Sequence, residues 1–233
     1  MVNKFFSVVL ILIGFLSANG QEEDSYHAPF RFNDYVECLV PSPVTNTAFR
    51  NSFVGIYTLN GSANVMLFQN FYIGICGSNS LYKVPTNKVI STSVNAAGGY
   101  DLSDLYQVNS GGLNLGHAYY FSPGNFLTTS IAVGPSFSKF TEVQIAVPVV
   151  PPAELNKTFN AIFVQAACGI QFSVEDHFGL GFSVSYTMLN HAFNPNDIAL
   201  NQFASYSAAE AKGNMSFVEL GFSVYFGYVK KKK

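Results

Sequence analysis

Four stretches of this chain alternate with a period of two, and their two faces divide in a way that few folds can use. From Asn125, one parity reads Leu127, Thr129, Ile131, Val133, Pro135, Phe137; the other reads Thr128, Ser130, Ala132, Gly134, Ser136, Ser138. A period of two is the signature of a β-strand with chemically distinct faces. The same division sets Ile162, Val164, Ala166, Cys168, Ile170, Phe172 and Val174 against Gln165, Ala167, Gly169, Gln171 and Ser173. It returns with Leu180, Phe182, Val184, Tyr186 and Met188 against Gly181, Ser183, Ser185 and Thr187. The last such strand sets Val218, Leu220, Phe222, Val224, Phe226 and Tyr228 against Glu219, Gly221, Ser223, Tyr225 and Gly227.

In a soluble sandwich the large apolar face is buried and the solvent face carries Lys and Glu. Here the polar face is Gly, Ser, Thr and Gln. A narrow barrel explains the inversion, because small polar groups fit its interior while the broad apolar face meets lipid. A Lys or Arg at mid-membrane on that outer face would cost about 2–4 kcal/mol. None occurs on the outward parity of these segments between Leu127 and Phe137 or along the three later strands. Only 11% of residues are charged, and 23 Phe and 13 Tyr are present, against a usual charged share of roughly 25%. Beyond the N-terminal segment no apolar run reaches the roughly 20 residues of a spanning helix. The expected fold is an all-β, antiparallel, up-and-down transmembrane barrel.

The first twenty residues read as a secretory leader. Lys4 precedes an apolar run from Phe5 to Leu16, broken by Ser7 and Gly14, and small residues follow in Ser17-Ala18-Asn19-Gly20. Cleavage after Gly20 leaves Gln21 first, and with no cysteine at the cut no lipid anchor is expected there. Removing Lys4 from 12 basic and 14 acidic residues leaves 11 and 14, a net charge of −3. That balance argues against nucleic acid as a partner.

Residues 21–48, with Glu22, Glu23, Asp24, Pro29, Pro41 and Pro43, read as an extended lead-in, 49–229 as the barrel, and 230–233 as a basic tail. Strands are expected at Phe53–Leu59, Asn64–Phe68, Phe71–Ser80 and Leu113–Phe121, besides the four above. This gives eight; a loop hairpin at Lys88–Asp101 would make ten, and that count stays open. Tight turns fall at Gln69-Asn70, Ser122–Asn125 and Glu175–Gly179, longer loops at Thr141–Lys157 and Asn190–Gly213. Such alternation suits a barrel with short periplasmic turns and long exterior loops.

Glu219 is the carboxylate expected inside the lumen at mid-strand, where an unpaired charge is costly. A polar network with Gln165, Gln171 and Tyr225 is its expected setting, and a structural role outweighs a catalytic one. A lipid-modifying hydrolase or acyltransferase would need a histidine beside a serine and an acid. His191, with Asp197 six residues on, is the best placed, but a loop histidine near serines is commonplace. His117 on an outward parity and His177 in a turn have no metal-ligand spacing. Cys38, Cys76 and Cys168 contain no C-x-x-C; one disulfide is permitted, its pair undetermined, and zinc is not expected. No cofactor or catalytic residue is assigned. The sequons at Asn60, Asn156 and Asn214 are read as chance matches.

The segments Leu113–Lys139, Phe159–Leu189 and Ser216–Tyr228, with the leader, resemble the small bacterial outer-membrane β-barrel proteins, porin-like and of OmpA or OmpX type, especially those of Bacteroidetes-type bacteria. The resemblance covers about half the chain as a pattern. It implies the outer membrane of a Gram-negative cell envelope, with lipid and lipopolysaccharide around the wall and an extracellular or envelope protein as a further partner. That family ends on an aromatic residue; here Phe226 and Tyr228 are followed by Val229 and Lys230–Lys233. The function expected is non-enzymatic, structural or binding, through long loops over a side-chain-filled lumen. The alternatives are the lipid-modifying enzyme and a soluble secreted barrel holding an apolar ligand.

Overall fold

The computed structural model describes residues 30–68, 70–85, 101–122, 124–147, 150–154, 157–175, 177–198 and 207–229. The leader, the basic tail and residues 88–100 of the candidate hairpin lie outside them. The strands are β1 (Phe30–Pro43), β2 (Val54–Met66), β3 (Phe71–Lys83), β4 (Asp101–Ser122), β5 (Asn125–Val147), β6 (Val150–Glu154), β7 (Lys157–Glu175), β8 (Phe178–Leu189) and β9 (Ser216–Val229). One short helix, α1 (Thr47–Ser52), joins β1 to β2, and a 3-10 turn covers Pro195–Ile198.

All pairings are antiparallel, and the order β4-β3-β2-β1-β9-β8-β7-β5 closes on itself through β4–β5. The ring therefore has eight strands. β6 stands outside it, pairing among the described residues only with the far end of β5. Closure leaves the ring no open edge, so its backbone polar groups are satisfied internally, as a bilayer interior demands.

The count of eight matches the expectation, with different membership. The segment read as a lead-in contains β1, which pairs with β2 and, along nearly its whole length, with β9. The two segments read as Phe53–Leu59 and Asn64–Phe68 are one strand, β2. Asn60 and Gly61 look like a turn in sequence. In the barrel, Asn60 instead pairs with Glu37 and Ser78, inside two continuous ladders. Pro41 and Pro43 are tolerated in β1 because its pairing with β2 stops at Leu39, leaving that side of the strand unladdered.

Alternation decides the wall. Ile131, Val133, Phe137, Ile162, Phe182, Leu220 and Phe222 are exposed on the outside, while Ser136, Ser138, Gln171, Ser183, Ser185 and Ser223 are buried within. On β7 the outer apolar run from Ile162 to Val174 covers roughly twelve residues at ~3.3 Å each. At a tilt of ~40° this is about 30 Å high, enough for an apolar band of ~25 Å. Exposed Phe32, Phe68, Phe71, Tyr119, Phe121 and Phe226 gather towards the short-turn end as an aromatic girdle. His117 lies among them with its ring edge-on to Phe71, 4.7 Å between centroids.

The short turns join β2–β3, β4–β5 and β7–β8 at the end that also holds the start of β1 and the end of β9. At the β4–β5 turn, Gly124 has φ 76°, which glycine adopts without strain. The Asn125 amide fixes this turn by donating to Ser122 Oγ at 2.6 Å and accepting from the Ser173 N–H at 2.9 Å.

Candidate functional site

The lumen is layered, and β9 alone reads the layers off: Phe217, Glu219, Gly221, Ser223 and Tyr225 run from the loop end to the short-turn end. At the loop end, α1 folds inward and places Phe49, fully buried, at the centre of an aromatic plug. Its ring lies 4.5 Å from Phe53, 5.2 Å from Tyr106, 5.4 Å from Phe193 and 5.6 Å from Tyr82, centroid to centroid. Asn46 sets the helix. With φ 53° it caps α1, its Oδ1 accepting from the Phe49 N–H at 3.0 Å. Its Nδ2 lies 3.1–3.2 Å from the carbonyls of Phe193, Ala211 and Gly213. One buried amide thus ties the β1–β2 connection to the β8–β9 loop.

At the other end Tyr35, Tyr120, Phe126 and Tyr225 form a second aromatic layer. Tyr225 lies over Gly179, where a Cβ would come within 2.0 Å of its ring, and its hydroxyl donates to the Gly124 carbonyl at 2.8 Å.

Between the plugs the lumen is polar. Glu219, 2% exposed, accepts from Thr58 (3.0 Å), Gln165 (3.1 Å), Ser185 (2.5 Å) and Thr187 (3.0 Å). The Thr58 hydroxyl also lies 2.8 Å from that of Ser80. Having one proton, it gives that to the carboxylate and takes Ser80's. β2 and β7 lie on opposite sides of the ring, so Glu219 braces the barrel across its diameter. The expected network is thus divided. Gln165 joins Glu219, whereas Gln171 pairs with Ser223 (2.7 and 3.1 Å), and Tyr225 belongs to the aromatic layer.

A second carboxylate, Glu37 on β1, points inward too and accepts from Asn60 Nδ2 at 3.1 Å. Sequence reasoning missed it by taking β1 for a lead-in; the inward parity Asn33, Tyr35, Glu37, Leu39 was the available signal. It borders a cavity of about 50 Å³ in the middle of the lumen. Among residues whose side chains are described, no Lys or Arg faces this interior.

The histidine and acid weighed for catalysis do not assemble. Asp197 forms an ion pair with Lys157, and the His191 ring packs 4.5 Å from that of Phe159 with no hydrogen bond to Asp197. Burial holds the His191 imidazole below its ordinary pKa; the Asp197 carboxylate pulls it up and the Lys157 ammonium pushes it down. His177 sits in the β7–β8 turn, its carbonyl accepting from the Gly227 N–H at 2.9 Å. The three cysteines are unbridged, with Cys38 and Cys168 on the outer wall. Among the described residues no three of His, Cys, Asp or Glu converge.

No protein-family model matches this chain, and no curated protein matches it. Among solved structures it is similar to a major outer membrane protein from Thermus thermophilus, at 10% identity, covering 86% of this chain and 100% of that one, with a TM-score of 0.48. Neisserial surface protein A is similar at 10% identity, 84% and 97% coverage and a TM-score of 0.47. The outer membrane protease OmpT from Escherichia coli gives 8% identity, 88% and 100% coverage and 0.41. Similarity at this level selects no activity, and the barrel reading rests on the closed ring itself.

Proposed function

We propose that this chain is a non-enzymatic β-barrel of a bacterial outer membrane, exported by its leader, with a lumen closed to bulk flow. Its work is structural, or is binding done at the loop end. One observation carries the reading: a wall apolar on the outside encloses a lumen stopped by aromatic side chains at both ends. An unmatched apolar belt of this height is costly in water and favourable in lipid, and a side-chain-filled eight-stranded lumen leaves no channel. Outer-membrane lipid and lipopolysaccharide are the partners of the wall. The loop end, where α1 and the β8–β9 loop are tied by Asn46, is the surface offered to an extracellular or envelope protein.

Membrane fractionation of the host, with gels of the detergent-refolded protein run before and after boiling, tests the first half. Outer-membrane recovery and a mobility shift on boiling are expected; a soluble protein with no shift would overturn it. Planar-bilayer recording tests the second half, and a large stable pore would refute closure.

A further inference from the structure

The cavity between the two aromatic layers has an unusual balance of groups. Glu37 stands on its wall with one hydrogen-bond donor, Asn60 Nδ2. A carboxylate can accept about four, and Glu219, a few residues above it, does receive four. With the Asn60 NH₂ turned towards that carboxylate, its carbonyl Oδ1 is left buried and without a donor. Tyr35, 8% exposed, also lines the cavity, and its hydroxyl is buried without a partner. Ser62 and Asn114 complete this part of the wall with further neutral oxygens.

Glu37 is partly buried, has no opposite charge beside it among the residues whose side chains are described, and borders the cavity with acceptor sites unfilled. A proton on Glu37, with the Asn60 amide turned over, would pair these two side chains but leave the Tyr35 hydroxyl without an acceptor. A cation beside Glu37 balances the carboxylate, gives Asn60 Oδ1 a partner as the amide stands, and brings water within reach of Tyr35. The donors are all hard oxygens, which select alkali or alkaline-earth ions over softer metals. A single carboxylate among neutral oxygens balances one positive charge. The volume admits an ion with a few waters, and such a water gives the Tyr35 hydroxyl an acceptor.

We propose that the lumen binds one monovalent alkali cation, Na⁺ or K⁺, at Glu37, with Asn60 Oδ1 as a second ligand and Tyr35 and Ser62 reached directly or through water. The ion is a structural counter-charge held between the plugs, and it exchanges slowly because both ends are closed.

The test uses the full mature barrel refolded in detergent. Thermal unfolding in NaCl or KCl is compared with choline chloride at equal ionic strength, and crystals are grown with thallium(I), which scatters anomalously and substitutes for K⁺. A midpoint roughly 4 °C higher in the alkali salts is expected, with the difference abolished in Glu37→Gln. An anomalous peak beside Glu37 is expected in the wild type. The peak decides the matter without any variant, should Glu37→Gln fail to fold. Saturating thallium with no peak there, or a peak only elsewhere, overturns the proposal. Equal midpoints in all salts with Glu37→Gln unchanged would show that no ion is held at Glu37, and would overturn it as well.

Discussion

Glu219 shows how far a single side chain can brace a barrel. Its carboxylate is held by groups from β2, β7 and β8, and removing the acceptor leaves those buried groups facing carbon. Each buried polar group left unmade costs about 1–3 kcal/mol, part of it recovered by re-pairing. Glu219→Leu is therefore expected to lower stability by about 3 kcal/mol, read as a shift of the urea midpoint in detergent. Glu219→Gln keeps one acceptor oxygen and should fall between. His191 offers a titration outside the membrane belt. Its pKa is lowered by folding, so the folded state holds fewer protons than the unfolded chain. Its contribution to loop-end stability is full above the unfolded value of ~6.5 and is lost as pH falls through the folded one. An NMR titration should place its midpoint below the ordinary histidine value. Asp197→Asn should move that midpoint further down and Lys157→Met should move it up; a midpoint indifferent to both would contradict the assignment of causes.

At the scale of elements, the connection containing α1 matters most. Phe49→Ala empties the centre of the loop-end plug and is expected to cost about 3–5 kcal/mol. Asn46→Ala loses the cap, the carbonyl contacts and an αL-tolerant residue, and should cost about 2 kcal/mol while loosening the β8–β9 loop, visible as faster amide exchange at Met215. Gly179→Ala should displace Tyr225 and slow refolding of the short-turn end. None of the plug was legible in the sequence, because a six-residue helix leaves no periodic trace and Phe49 reads like any other loop aromatic. By contrast β5, β7, β8 and β9 were legible, since each keeps large apolar groups on one parity. β1 was not, because Asp34 and Glu37 put charges on both parities and two prolines end it. Gln165 was found from its lumenal parity and Glu37 was lost with its strand.

For the whole molecule, two obstructions in series predict that opening one is not enough. Replacing residues 45–52 with a Gly-Ser linker leaves the Tyr35, Tyr120, Phe126 and Tyr225 layer in place, and bilayer conductance should stay at baseline. Adding Phe126→Ala and Tyr225→Ala should produce small, cation-preferring openings, given Glu37 and Glu219 on the wall. Conductance from the linker variant alone would place the barrier at the loop end only. The closing seam carries a different consequence. β1 and β9 are the first and last strands of the ring, and Val36 lies opposite Val224 across it. The two strands that meet at this seam thus lie far apart in sequence, with the other six strands of the ring between them. Contacts so distant in sequence form late, after the entropy of a long loop has been overcome. Until β9 is made and delivered, the first seven strands of the ring form a sheet with two bare edges that invite pairing with other chains. Closing the ring falls to β9, a fourteen-residue strand, whose partners β1 and β8 stay bare until it docks between them.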